Sequence, residues 1–172
     1  VHQVGVGILS QLSAAGLSAH QVNLKATVLA DFLDKENLGY VGQATAIDTA
    51  ELETLLTDGT IPLLASLGYT ADGQLLNINA DYLATAVATS LKASQLILMT
   101  DVPGVLEDGQ VISQLTLTDI DQKIADGIVV GGMIPKLESA AQTVQAGVGT
   151  VIITDKLIGG TKITGGAHDT SI

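Results

Sequence analysis

Two rhythms of apolar residues run through the chain, and the places where one gives way to the other mark its elements. Val4, Ile8, Leu9 and Leu12 recur at helical spacing, so the chain opens on a predicted helix with Gly16 as its C-terminal stop. Gly5 and Gly7 weaken the first turn of that helix. Residues 22–29 and 40–46 read as strands, 49–56 as a helix ended by the turn Asp58-Gly59, and 61–65 as a short buried strand. Asp72-Gly73 is a hairpin-type turn. Residues 80–91, rich in Ala, Leu and Val, predict a helix. Residues 95–100 (Gln-Leu-Ile-Leu-Met-Thr) predict a nearly continuous apolar strand of the kind buried on both faces of a parallel sheet. Short strands at 105–106 and 111–112 flank Glu107-Asp108-Gly109-Gln110 as a small hairpin. A short helix is expected over 119–125, N-capped by Thr118 and with acids in its first turn. A Gly-rich loop over 127–132 then leads into a helix over 133–146, and 151–154 reads as a strand. The alternation of β and α predicts an α/β fold, a mainly parallel sheet covered by helices.

Composition sharpens this. With 172 residues, 47% hydrophobic and only 2% aromatic, the core is built from Val, Ile, Leu and Ala, and together with 19 Gly this is α/β usage. The length suits one compact domain, or two lobes sharing a sheet. The absence of Cys excludes a disulfide framework, a thiol nucleophile and a thiolate zinc site. A formal net charge of −11, with all seven basic residues Lys, gives no surface for nucleic acid or anionic membrane. Without Arg, a bound phosphate must be held by Lys, by backbone N–H groups or by a metal ion. No apolar run reaches membrane-spanning length, and the default is a cytoplasmic soluble protein. The chain begins Val1-His2-Gln3 directly on a helix, from which a preceding segment is expected.

Three segments carry candidate chemistry, each where a strand hands over to a helix or loop, the usual ligand position of open α/β sheets. In Asn77-Ile78-Asn79-Ala80-Asp81, two amides and a carboxylate at alternate positions can converge on a small anionic ligand. Equally, Asn79 can be a plain N-cap with Asp81 favouring the helix dipole. In Thr100-Asp101-Val102-Pro103-Gly104-Val105-Leu106, a Pro-Gly turn brings backbone close to whatever lies above the strand end, although such a turn is also ordinary punctuation. In Gly131-Gly132-Met133-Ile134-Pro135-Lys136, Pro135 belongs in a first helical turn, which places Lys136 at the positive end of the dipole. That position costs a few tenths to about 1 kcal/mol unless an anion intervenes, so Lys136 is the best phosphate ligand on offer, against the alternative of a solvated surface Lys.

Taken in this order, these three segments resemble the amino acid kinase family, and within it the branch whose acceptor is N-acetylglutamate. The resemblance implies a three-layer α/β/α sandwich around a mainly parallel sheet, with an acceptor lobe over 1–76 and a nucleotide lobe over 77–172 on one continuous sheet. It further implies that Asn77 and Asn79 bind N-acetylglutamate, that Asp81 holds catalytic lysines in place, and that Lys136 stabilises charge on the transferring phosphoryl group. The nucleotide would lie against Asp101, Val102, Pro103, Gly104, Val105 and Leu106 together with Ile128, Val129 and Val130. The cofactor implied is ATP with Mg2+, the metal arriving on the phosphates with no protein metal site, and the assembly implied is a homodimer. Family members also carry a Lys-x-Gly-Gly strand, a second Gly-rich loop and an acceptor-gripping Arg, none of which is in this sequence. A nucleotide-binding remnant without catalysis, or a member with another acceptor, therefore stays open, and the chain by itself is expected to turn over poorly. The shortness of residues 155–161 and the tail Gly165-Gly166-Ala167-His168 have no reading.

Overall fold

The computed structural model describes residues 2–166. It divides into two compact units, Val1–Leu91 and Lys92–Ile172. The first unit runs through Leu91 because the elements from 77 to 91 pack on strands earlier in the chain.

In the first unit, α1 (His2–Ala14) runs through both Gly5 and Gly7 and ends where Gly16 takes φ +77°. β1 (Ala19–Gln21) pairs in parallel with β4 (Ile61–Leu63). The strand expected over 22–29 is broken by a helical turn, α2 (Leu24–Thr27), before β2 (Val28–Phe32) begins. Asn23 accounts for the break, since its carbonyl accepts from both Ala26 and Thr27 N–H while Leu, Lys and Ala favour helix. After α3 (Lys35–Leu38) come β3 (Val41–Ile47) and α4 (Ala50–Thr57), then β5 (Leu67–Tyr69) and β6 (Leu75–Ile78), joined by the hairpin at Gly73, and finally α5 (Ala80–Ser90). Strands β2, β3, β6 and β5 close into a ring around Val28, Ala30, Leu76 and Ile78, against which Leu83 of α5 packs. Only glycine fits at Gly68, where a Cβ would lie 2.8 Å from Ile78 Cδ1 and 2.9 Å from Ala30 Cβ.

In the second unit, β7 (Gln95–Met99) is followed by the hairpin β8 (Leu106–Glu107) and β9 (Gln110–Val111), then β10 (Gln114–Thr116) and α6 (Leu117–Ala125). α7 (Met133–Gln145), β11 (Thr150–Thr154) and β12 (Thr161–Thr164) complete it. The sheet order is β10-β12-β11-β7, parallel between β7 and β11 and between β10 and β12, antiparallel between β11 and β12. Among the described residues the remaining ladders are the β1–β4 pair, the ring of the first unit and the β8–β9 hairpin. As the outer strand of its ladder, β7 buries Leu98 alone among its apolar residues and leaves Ile97 and Met99 exposed, which differs from the two-faced burial its sequence suggests.

The N-cap of α6 is Thr116 rather than Thr118. Thr116 and Asp119 close a reciprocal capping box, with Thr116 Oγ1 accepting from Asp119 N–H at 3.3 Å and Asp119 Oδ2 accepting from Thr116 N–H at 2.8 Å. The Thr116 hydroxyl also donates to Asp119 Oδ2 at 2.7 Å, and this bond first, with the Thr116 N–H bond second, holds the Asp119 carboxyl below its ordinary value of 3.8. Strands β10 and β12 escape sequence reading because they are short and Thr-rich; Thr161 and Ile163 face inward in β12 while Lys162 faces out.

Candidate functional site

Asn77 lies on β6, exposed between the buried Leu76 and Ile78, and its N–H donates to the Tyr40 carbonyl at 2.9 Å. Two residues on, just past the strand end, Asn79 caps α5. Its Oδ1 accepts from Asp81 N–H at 2.9 Å and from Tyr82 N–H at 3.4 Å. The capping account of Asn79 is therefore correct, and its side-chain amide retains N–H donors for anything above the strand end. Asp81 stands half-buried in the first turn of α5. The sequence pattern works here because a strand ending in alternate polar residues meets a helix whose first N–H groups need an acceptor.

In the second unit a different arrangement appears. A cavity of about 160 Å³ is lined by Val102, Gly104, Val105, Leu106, Ile128, Val129, Val130 and Met133. Seven of the nine residues expected at a nucleotide site meet in it, while Asp101 and Pro103 are not part of the lining. Met133 was not foreseen as a site residue, although its place directly after Gly131-Gly132 signals that a helix starts there. The two walls are fixed separately. Gly104, at φ +149°, lets the 102–106 segment pass against Thr161, and the Ile128 and Val129 N–H groups both donate to the Lys123 carbonyl, at 3.0 and 3.2 Å. Lys123 also pairs through Nζ with Glu107, next to Leu106 of the opposite wall.

The cavity holds no charged side chain in its lining, which is mainly apolar. Its volume lies below the roughly 300–1,000 Å³ of a pocket that engulfs a whole drug-sized ligand. Met133 is at once a wall of the cavity and the first residue of α7. That helix start has no side-chain cap and no acid in its first turn, and Lys136, half-buried, is its one cation there. A larger cavity of about 320 Å³ in the first unit, between α1 and the β1–β4 pair, has no titratable group in its lining; Gln21 and Ser66 are its polar side chains. Among the described residues, no three His, Asp or Glu side chains come together as a metal cage, and no helix is long and apolar enough to cross a membrane.

Fold and site together define an α/β protein with a small apolar cavity that reaches the start of a helix. Sequence comparison then identifies the kind, because the family model of the amino acid kinases matches residues 1–155. The chain belongs to the amino acid kinase family. It is 56% identical, over 166 residues, to an acetylglutamate kinase of Streptococcus sanguinis, and 43% identical over 167 residues to one of Staphylococcus epidermidis. These matches cover 95% and 96% of this chain and 68% of each relative. A crystal structure from Streptococcus mutans UA159 superposes with a TM-score of 0.89 at 51% identity, over 95% of this chain and 68% of that one. Giardia lamblia carbamate kinase bound to AMP-PNP shares the fold at TM-score 0.72 and 18% identity, covering 96% of this chain and 68% of its own.

Proposed function

We propose that this chain provides the nucleotide site and part of the acceptor site of an acetylglutamate kinase, which phosphorylates the side-chain carboxylate of N-acetyl-L-glutamate with ATP in arginine biosynthesis. The observation that carries the reading is the apolar slot ending at Met133, where seven expected nucleotide residues converge at the start of α7. The identity of 56% to an acetylglutamate kinase supports the choice of acceptor within the family.

In this reading the adenine ring occupies the slot and the phosphates run toward the first turn of α7, where backbone N–H groups and Lys136 meet them. Asn77 and Asn79 orient the acceptor through their amide donors, and Asp81 holds lysine ammonium groups in position. A carboxylate oxygen of the acceptor attacks the γ-phosphorus, the bond to the β,γ-bridging oxygen breaks, and ADP leaves with the electron pair. Charge builds on the transferring group and the leaving oxygen, and the protein's contribution is positioning and neutralisation. Magnesium comes with ATP on its phosphates. A cytoplasmic homodimer belongs to the same reading.

The test is a graft in which this chain replaces the matching segment of the Streptococcus sanguinis acetylglutamate kinase, with acyl phosphate trapped by hydroxylamine. Hydroxamate formation that needs both ATP and N-acetylglutamate is the expected result. A folded graft that forms none, or that prefers another carboxylate, refutes the proposal.

A further inference from the structure

Thr161 is fully buried in β12, opposite Ile153 of β11, and none of its atoms lines the slot. Its hydroxyl nevertheless ties the slot's wall to the sheet. Val105 N–H donates to Thr161 Oγ1 at 2.8 Å, and Thr161 Oγ1 donates to the Ile112 carbonyl at 2.7 Å. Ile112 N–H then donates to the Val105 carbonyl at 2.8 Å, so the three residues close a ring of hydrogen bonds around one hydroxyl. Val105 is itself 2% exposed, which makes its N–H a donor with no access to water. Beside it, a Cβ on Gly104 would lie 2.7 Å from Thr161 Oγ1, so the wall is drawn as close to this hydroxyl as glycine permits.

We infer that Thr161 is a positioning residue for the adenine slot: it fixes the height of the 102–106 wall over the sheet, and thereby the affinity for adenine nucleotide. The inference rests on the slot being the nucleotide site. A hydroxyl is required because the position must accept from one backbone group and donate to another at the same time. Valine has the same shape and can do neither; serine can do both.

The experiment compares Thr161→Val, Thr161→Cys and Thr161→Ser in the full chain, measuring ATP affinity by equilibrium dialysis and amide hydrogen exchange residue by residue. The expected result is a loss of ATP affinity of about tenfold or more in Thr161→Val, with faster exchange at the Val105 amide and unchanged protection at Val151 and Ile153 of β11. Thr161→Ser is expected within about twofold of the parent on both readouts. Should the Val variant fail to fold, Thr161→Cys, whose sulfur bonds weakly, carries the comparison and is expected between the other two. A folded Val or Cys variant that binds ATP as the parent does overturns the inference, as does loss of protection throughout β11. Failure of the parent chain to bind ATP overturns the nucleotide reading of the slot, and is read before any variant.

Discussion

Asn79 caps α5 and, in the proposed reading, also binds the acceptor, and substitution can pull the two tasks apart. Replacing it by Ala removes both bonds of its Oδ1 to the start of α5. The bond to Asp81 N–H at 2.9 Å has good geometry, whereas that to Tyr82 at 3.4 Å is marginal, so the loss amounts to little more than one capping bond. Such caps contribute about 0.5–2 kcal/mol, and about 1 kcal/mol is expected here. For cooperative melting of a chain of 172 residues this lowers Tm by about 2–4 °C. Asn79→Ser keeps an oxygen in place for the cap but removes the amide donor, and its Tm is expected within about 1 °C of the parent. The acceptor role gives the opposite order of information: in the streptococcal graft, both substitutions raise the KM for N-acetylglutamate by about tenfold while that for ATP stays within twofold, as fits loss of one hydrogen bond to a charged group. Thermal melting followed by circular dichroism, with hydroxamate kinetics on the same preparations, separates the two. An Ala variant melting with the parent refutes the capping energy. A Ser variant with an unchanged acceptor KM refutes the ligand role and leaves Asn79 as a cap alone.

In the graft, Lys136→Ala is expected to lower kcat by a factor corresponding to about 2–4 kcal/mol while ATP affinity changes little, because its charge is needed most as charge develops on the phosphoryl group; steady-state kinetics with an unchanged kcat would remove Lys136 from the chemistry. Asp119, Asp34 and Asp72 all have carboxyls held below their ordinary value of 3.8, first of all by side-chain hydrogen bonds from Thr116, Asn37 and Thr70 respectively. Their folded-state values lie below the unfolded ones, so the stability they add is present above about pH 4 and is lost as pH falls through the depressed values. Urea midpoints from pH 6 down to pH 2 should fall over that window, and Asp119→Asn should flatten part of the fall; an equal fall in the variant would refute the capping box as one of its sources.

What could be read from the sequence followed what the local pattern specifies. That residues 102–106 and 128–130 belong to one site came from the family resemblance, since nothing in the pattern brings two such distant segments together; local signals marked only the turn at Pro103-Gly104 and the helix start after Gly131-Gly132, whose backbone demands are local. α5 with its Asn79 cap and the Asp108-Gly109 hairpin were legible for the same reason; both turn residues take positive φ, 50° and 78°. The strand over 22–29 failed because Val22 and Val28-Leu29 at its ends mask four residues that close a helical turn on Asn23. Thr118 looked like the cap because acids follow it, but the reciprocal bond with Asp119 needs the residue three before, and Thr116 is that residue. Thr161 was invisible, since nothing adjacent to a buried Thr in a short strand announces a bond to Val105, 56 residues away.

That last separation has a kinetic consequence. The hydroxyl that fixes the slot's first wall emerges from the ribosome long after the wall itself, and β11, which carries the sheet to β12, pairs with β7 across a similar span. At translation rates of about 5–20 residues per second, the interval is several seconds, ample time for local turns and helices to form and none for the slot to be complete. During synthesis the 102–106 segment is therefore an unanchored loop. In the proposed reading, adenine nucleotide can stabilise the second unit only once Thr161 has cleared the exit tunnel, so ligand-assisted folding of this unit waits for β12 and cannot begin when the 102–106 segment first emerges.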